Sequence, residues 1–318
     1  MTQSGETDRL RVVFWGAGRL GRAVLQSILK SKAAEVAAVV TKPDKPAGRH
    51  RKLRACPVKE FATASRLEVF TPRNPCEIEE QLRRIGPDLG VVADYGSYLP
   101  AAVVELPHLG TINVHPSLLP RYRGAAPVQW ALANGEKETG ISILFVTPEM
   151  DAGDIILQER MPIDDDDDAV SLSEKLAHQA AGAIERVLND FARGKVAAVP
   201  QDHSKATFAP RLTKEQGRID WRRPAIEIRN RIRGFQPWPG CYCYPHGPRG
   251  PLLHIRSAAV VPFSGAPGEV VDINREGPAI AAGEGAVRLL KVQPAGRRVM
   301  TGWEYVLGHH VAKGDRWE

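Results

Sequence analysis

Short apolar runs alternate with amphipathic segments along the first half of the chain. Residues 11–15 form the first apolar run, a glycine-containing turn and a helical pattern at 20–29 follow, and the next apolar run is 36–40. This order predicts a strand–helix–strand unit. The same criteria predict strands at 67–70, 89–93, 112–114 and 141–146, and helices at 57–64, 77–85 and 127–134. Strands that alternate with helices form a mostly parallel sheet, so we expect a Rossmann-like α/β domain.

The pattern changes in the last third of the chain. A polar, proline-containing linker leads to a predicted helix at 225–234 and then to four apolar runs, at 252–255, 270–273, 278–282 and 287–292. Short strands separated by Gly and Pro are typical of a small β-barrel. We therefore predict an α/β domain over residues 1–194, a linker at 195–210 and a smaller barrel domain over 211–318.

A run of five aspartates, residues 164–168, precedes the sequence Ser171-Leu-Ser-Glu174. The spacing of Ser171 and Glu174 predicts a capping box that opens a helix, and acidic residues there complement the helix dipole. A divalent-ion site is the alternative, but such runs are more often solvated turns. We expect no metal site.

Composition is that of a soluble enzyme of two domains. The 318 residues are 43% hydrophobic, and no apolar run approaches the roughly 20 residues of a membrane span. The four cysteines lack the paired spacing of a metal site, and the short polar start of the chain does not resemble a targeting peptide. These features predict a cytoplasmic protein with free thiols, and we expect a monomer.

Candidate chemistry is concentrated in Asn113-Val-His115 and in Asp151-Ala-Gly-Asp154. An amide, an imidazole and a carboxylate suit acyl transfer between nitrogens, because the oxyanion of the tetrahedral intermediate needs donors and the leaving amine needs a proton. Asn113 and His115 fall at the end of one predicted strand, and Asp151 follows another. Because ligands of such sheets lie beyond the carboxyl ends of the strands, we expect the three side chains to share one cleft.

Longer motifs surround these residues and extend into both halves of the chain. They are Thr41-Lys-Pro-Asp-Lys-Pro-Ala-Gly-Arg49, the stretch from Asn113 to Pro127, the stretch from Gly140 to Ile155, Thr207-Phe-Ala-Pro-Arg-Leu-Thr213, Phe235-Gln-Pro-Trp-Pro-Gly240 and Gln293-Pro-Ala-Gly-Arg-Arg298. With them the chain resembles the folate-dependent formyltransferases and, within that family, the methionyl-tRNA formyltransferases.

The resemblance implies a co-substrate, an acceptor and a set of site residues. It implies formyl transfer from 10-formyltetrahydrofolate to the α-amine of methionyl initiator tRNA, with Asn113, His115 and Asp151 as catalytic residues. Four further residues would line the folate site: Ser117, Leu118, Leu119 and Pro120. It also implies that the C-terminal barrel resembles an OB-fold and binds tRNA.

Charge supports a nucleic-acid partner. From Phe208 onward the chain has 17 Lys and Arg against 10 Asp and Glu, and a second basic stretch lies between Lys42 and Arg54. Cationic surfaces bind phosphates through counterion release. Pro and Gly predict that the second stretch is a loop, and in the family the corresponding loop enters the tRNA acceptor stem. The resemblance assigns tRNA contact to Arg49 and, around it, to Lys42, Lys45 and Lys52.

The sequence leaves three further functions open. Gly16-Ala-Gly18-Arg-Leu-Gly21 has the spacing of a dinucleotide-binding turn, which would fit a nicotinamide-dependent dehydrogenase, although Thr41 and Lys42 stand where an acidic ribose partner is expected. The family usually has Thr-Pro at positions 17 and 18 and lacks the carboxylate of Asp94. The catalytic motifs also fit a formyltransferase for an amino sugar nucleotide, and the basic surfaces fit a noncatalytic tRNA-binding relative.

Overall fold

A computed structural model describes residues 9–47, 52–247 and 249–318. Its contacts divide the chain into two compact units. The first contains the chain up to Pro127 together with Glu138–Pro162 and Ser173–Ala209. The second contains Pro210–Glu318 and two short stretches, Val128–Lys137 and Ile163–Leu172, which the predicted domain boundaries counted with the first.

The first unit is built on a seven-stranded sheet with the order β5-β2-β1-β6-β7-β8-β9. Its strands are β1 (Leu10–Gly16), β2 (Ala34–Val40), β5 (Val69–Phe70), β6 (Leu89–Ala93), β7 (Thr111–His115), β8 (Glu138–Phe145) and β9 (Ile155–Pro162). The pairs from β5 to β7 are parallel, and β8 and β9 are antiparallel. The predicted mostly parallel sheet is therefore confirmed.

Buried strands at the centre explain why apolar runs identified this sheet. All five residues of β6 are buried, and in β1 the residues from Val12 to Trp15 are at most 1% exposed. Central strands of a sheet covered on both faces lose contact with water on both sides, so they need no polar alternation.

Helices of the first unit are α1 (Arg19–Lys30), α2 (Pro57–Ala64), α3 (Glu79–Ile85), α4 (Ala101–Val104) and most of α6 (Ala169–Ala192), whereas α5 (Pro127–Ala133) belongs to the second unit except for its first residue. A 3₁₀ turn at Pro75–Ile78 replaces the predicted start of α3. The predicted capping box at Ser171 is displaced, because α6 begins at Ala169, three residues before the start that a Ser171 cap predicts. Asp168 accepts from the backbone N–H groups of Val170 and Ser171, at 2.8 and 2.9 Å, and so caps the helix.

The predicted basic loop is in part a hairpin. Strands β3 (Lys45–Ala47) and β4 (Lys52–Arg54) pair antiparallel, with Lys45 opposite Arg54. Proline and glycine interruptions suggested irregular structure. Within the described residues, however, Pro46 lies in a two-stranded sheet, where a missing N–H is tolerated.

The second unit is an antiparallel sheet with the order β10-β11-β14-β13-β12, and β15 pairs with β14. Its elements are β10 (Cys241–Cys243), β11 (Leu253–Val261), β12 (Val270–Asn274), β13 (Gly277–Ala281), β14 (Ala286–Pro294), β15 (Met300–Thr301) and the helices α7 (Ala225–Gly234) and α8 (Gly302–His309). This antiparallel sheet is consistent with the predicted small β-barrel domain, and α7 confirms its predicted leading helix.

Candidate active site

Strand β7 carries two polar side chains at the end of the sheet where its parallel strands finish. Asn113 pairs with Val92 of β6 on one side and with Leu144 of β8 on the other, and His115 pairs with Ser142. Because side chains alternate along a strand, Asn113 and His115 lie on the same face. His115 is only 4% exposed, so its ring is held by protein on most sides.

Asp151 reaches these side chains from the turn between β8 and β9. Its carboxylate accepts from Asn113 Nδ2 at 3.2 Å and from the backbone N–H of Gly124 at 2.9 Å. His115 Nδ1 lies 3.6 Å from the second carboxylate oxygen, within ion-pair range. The structure thus brings together Asn113, His115 and Asp151, as the sheet rule predicted.

The second nitrogen of His115 is used by the backbone. Nε2 lies 3.0 Å from the carbonyl oxygen of Tyr122, and because a carbonyl only accepts, Nε2 carries a hydrogen. Nδ1 is therefore the nitrogen that faces Asp151. A histidine with one nitrogen fixed in this way has a defined orientation, and only the other nitrogen is left for a further partner.

The segment that supplies Tyr122 O and Gly124 N–H is itself held by the end of the first unit. Arg123 N donates to Thr207 O at 2.9 Å, and Ala209 N donates to Arg123 O at 2.7 Å. Gly124 has φ +120°, and a Cβ at this position would come within 2.8 Å of Ala209 O. Close approach of the two backbones therefore requires glycine.

The four residues predicted to line the folate site divide into two kinds. Ser117 and Leu119 are buried, and the Ser117 hydroxyl donates to Arg121 O at 2.8 Å. Leu118 and Pro120 are partly exposed. Their apolar side chains are the ones that a ligand can reach.

Two residues that the sequence analysis did not single out hold this segment. Ser142 Oγ donates to Ser117 O at 2.7 Å and accepts from Leu119 N at 3.2 Å. Gln158 Nε2 donates to Leu119 O at 2.9 Å. Both side chains project from the antiparallel strands β8 and β9, whose period-two pattern would place them inward.

Two family models together match most of the chain. A formyl transferase model matches residues 9–188, and a model of the formyl transferase C-terminal domain matches residues 211–310. The chain belongs to the formyl transferase family.

Relatives within the family match over nearly the whole chain. A methionyl-tRNA formyltransferase of Caldanaerobacter subterraneus subsp. tengcongensis is 41% identical over 310 residues, which cover 96% of this chain and 99% of the relative. The methionyl-tRNA formyltransferase of Geobacter sulfurreducens is 38% identical and covers 96% of both chains. The likeness to these enzymes therefore extends over both parts of the chain.

A solved structure shows the same fold. The N-formyltransferase of Helicobacter canadensis, in complex with folinic acid and dTDP-3-aminofucose, superposes with a TM-score of 0.67 and 17% identity, covering 88% of this chain and 99% of that one.

In this formyl transferase, the space beside the glycines of the glycine-rich turn is occupied by other residues of the protein. A Cβ on Gly18 would overlap the carboxylate of Asp94, and a Cβ on Gly21 would lie 2.6 Å from Ala93 O. The glycines thus permit close packing between the start of α1 and the end of β6. A pyrophosphate at the N-terminus of α1 would meet the Asp94 carboxylate, so family membership and geometry both argue against a dehydrogenase.

Asp94 also has an unusual backbone and acidity. Its φ is +53°, a conformation that Asp and Asn tolerate better than most residues. Although the residue as a whole is exposed, burial of its carboxyl group raises the pKa of Asp94 to about 6.

The four basic residues predicted to contact tRNA differ in their surroundings where the structure describes them. Lys42 is partly buried, donates to Ser97 Oγ and lies 4.1 Å from the centre of the Tyr95 ring. Lys45 is exposed in β3. Lys52 lies in β4, and Arg49 lies outside the described residues.

Arginines of α7 have partners within the second unit. Arg229 donates to Asp165 O at 2.7 Å, and Arg233 donates to three carbonyl oxygens of the aspartate run, those of Asp164, Asp165 and Asp167. The aspartate run therefore binds these arginines through its backbone carbonyl oxygens. Among the described residues, no group of three or more His, Cys, Asp or Glu is arranged to hold a metal ion.

The helices were compared with the requirements of a membrane span. None of those in the described ranges combines the length and apolar character that a membrane span requires.

The raised pKa of Asp94 predicts a pH-dependent stability. The folded-state pKa of about 6 exceeds the ordinary value of 3.8. The free energy of unfolding therefore falls as the pH rises between these two values, and the whole cost of the ionised carboxylate is present above the higher one. Asp94→Asn should therefore raise the Tm at pH 8, by about 2 °C because the partial exposure of Asp94 reduces the effect. The gain should vanish as the pH approaches 4, as measured by thermal unfolding across this range.

Asp166→Asn is the control for this measurement, since Asp166 is an exposed aspartate of the acidic run. A gain for Asp94→Asn that does not change with pH would contradict the assigned cause.

Proposed function

We propose that this enzyme transfers the formyl group of 10-formyltetrahydrofolate to the α-amino group of methionyl initiator tRNA. The observation that carries the proposal is the convergence of Asn113, His115 and Asp151 in a chain that matches methionyl-tRNA formyltransferases from end to end. Because its acceptor is a charged tRNA, we expect the enzyme to act in the cytoplasm, and we propose that it acts as a monomer.

Asn113 stabilises the oxyanion. One hydrogen of its Nδ2 is directed to Asp151, which leaves the second hydrogen for the oxygen that gains charge when the amine attacks the formyl carbon. The bond to Asp151 also fixes the plane of the amide, so the second N–H is already oriented before the substrates bind.

His115 and Asp151 manage the protons. Asp151 accepts a proton from the attacking amine, directly or through water, as the new C–N bond forms. His115 donates from Nδ1, since Nε2 is committed to Tyr122 O, and protonates the folate nitrogen as the old C–N bond breaks. The carboxylate 3.6 Å away stabilises the charged imidazole before this transfer.

The segment after His115 is chemically suited to a folate. Leu118 and Pro120 present partly exposed apolar groups beside the polar trio, and a small number of convergent polar groups next to apolar walls is typical of sites for aromatic ligands. Ser117 and Leu119 support the segment from beneath through the bonds to Arg121 and Ser142.

Acceptor tRNA is held by basic residues in both halves of the chain. The basic hairpin supplies Lys45 and Lys52 and, by the resemblance, Arg49 as the residue that enters the acceptor stem. In the C-terminal unit, Arg297 and Arg298 are exposed between β14 and β15. Exposed cations on a polar turn are suited to phosphate contact.

A sugar-nucleotide formyltransferase and a noncatalytic tRNA-binding protein have less support. A sugar nucleotide as acceptor is favoured by fold likenesses at 17% identity, whereas methionyl-tRNA formyltransferases are 38 to 41% identical over nearly the whole chain. A noncatalytic tRNA-binding protein would have no need of the Asn113, His115 and Asp151 geometry.

A competition between acceptors tests the function. With 10-formyltetrahydrofolate as donor, the enzyme should formylate charged initiator tRNA in preference to elongator methionyl-tRNA, and should not formylate an amino sugar nucleotide. Rates are followed by the release of tetrahydrofolate and by the formylated product. Transfer to the sugar nucleotide alone would refute the tRNA acceptor and leave the chemistry in place.

Replacement of the proton-handling residues should abolish most of the turnover. His115→Asn and Asp151→Asn should each lower kcat by at least about 100-fold, as expected for loss of a general acid or base. Single-turnover formylation measures the effect.

The matched control is His108→Asn. His108 Nδ1 also lies 3.6 Å from an aspartate, Asp88, but the histidine is exposed, so kcat should be unchanged. Near-normal turnover in both active-site variants would eliminate the mechanism.

Loss of Arg49 should weaken tRNA use without weakening folate binding. Arg49→Ala should raise the KM for tRNA at least about fivefold and reduce its dependence on salt, because one phosphate contact with its counterion release is lost. The KM for the folate should not change.

Steady-state kinetics over a salt series checks the prediction, with Arg73→Ala, an exposed arginine outside the hairpin, as control. An equal loss for both substrates would indicate a general defect of the catalytic unit.

A further inference from the structure

The amide of Gln201 holds the backbone of the candidate base and of the residue two positions after it. Its Nε2 donates to Asp151 O at 2.8 Å and to Gly153 O at 2.7 Å. Gln201 is 6% exposed, and both of its amide hydrogens are consumed by the two carbonyls. The turn that carries Asp151 is therefore fastened at two points to a residue that is distant in the sequence.

The other end of the same amide is fixed by a buried cation. Arg123 is 2% exposed and donates to Gln201 Oε1 from Nη2 at 2.8 Å and from Nε at 3.3 Å. The guanidinium also donates to His203 Nδ1 at 3.1 Å and to Glu149 Oε1 at 3.4 Å. A forked donor bonded to one amide oxygen restricts rotation of the amide, so Gln201 has a single orientation.

The turn that carries Asp151 depends on such bonds. The φ of Asp151 is +50°, in the left-handed region that non-glycine residues seldom occupy, although Asp tolerates it better than most. Loss of the bonds at residues 151 and 153 removes two constraints on this turn and lets the carboxylate move away from Asn113 and His115. A displacement of about 1 Å in a catalytic group can cost about 100-fold in rate.

We propose that Gln201, oriented by Arg123, is a positioning residue that keeps the Asp151 carboxylate in contact with Asn113 and His115. The proposal rests on the role proposed above for Asp151. Arg123 is connected to the site a second time, since its neighbours Tyr122 and Gly124 bond to His115 and to the Asp151 carboxylate. The Gln201–Arg123 pair thus links the acid and the base of the reaction through one buried network.

The chain offers a matched control for this pair. Gln236 in the second unit is 8% exposed, donates to Ile255 O at 3.2 Å and accepts from Arg256 Nη1 at 3.1 Å. It is likewise a buried glutamine amide between an arginine and backbone carbonyls. Its replacement reports the cost of breaking such a network where the network does not contact Asp151.

The first measurement compares Gln201→Met with Gln236→Met, which conserve side-chain volume. Gln201→Met should lower kcat by roughly 10- to 100-fold and leave the KM values for folate and tRNA within about twofold. Gln236→Met should have a similar loss in Tm and an unchanged kcat. If Gln201→Met is insoluble, Gln201→Glu keeps the acceptor for Arg123 but cannot donate to the carbonyls, and it should show the same loss in kcat.

A double-mutant cycle with Asp151→Asn separates positioning from general damage. Because Gln201 acts through the Asp151 carboxylate, adding Gln201→Met to Asp151→Asn should cause no further loss of kcat. A further loss equal to that of the single variant would overturn the proposal, as would a normal kcat for Gln201→Met beside a slow Asp151→Asn. Normal turnover of Asp151→Asn itself would refute the mechanism, and the positioning role with it.

Discussion

The carboxylate of Asp151 is bonded or close to three different groups of the catalytic unit. It accepts from a side chain of β7 and from the backbone of the segment before α5, and it faces the imidazole of His115. A carboxylate that is only 13% exposed needs this many polar neighbours, because burying an incompletely bonded charge is costly. These bonds fix the end of β7, the turn between β8 and β9 and the segment around Gly124 relative to one another.

Residues 113 and 115 could be placed from the sequence because β7 is apolar around them and because sheets of this class bind ligands at one edge. Gln201 could not, since its partners lie 50 and 48 residues away and are carbonyl groups, which leave no trace in a residue pattern. The start of α6 was misplaced for a local reason: Asp168 and Ser171 are both good caps, and Asp168 bonds two N–H groups.

The glycine turn illustrates a second limit of sequence reasoning. Its spacing is the same whether glycine makes room for a pyrophosphate or for the protein itself, and only the structure shows the Asp94 carboxylate beside Gly18. The absence of a side chain at Gly18 leaves the space that the Asp94 carboxylate occupies.

The pairing of Arg123 with Thr207 and Ala209 has a consequence for how this chain tolerates changes in length. Residues 193–198, between α6 and Val199, lie mostly at the surface and can absorb inserted or deleted residues at little entropic cost. An insertion between Thr207 and Ala209 would instead shift the pairing with Arg123 by one residue. Length variation among related chains should therefore accumulate at 193–198 and not between Thr207 and Ala209, although Phe208 between the paired residues is 70% exposed.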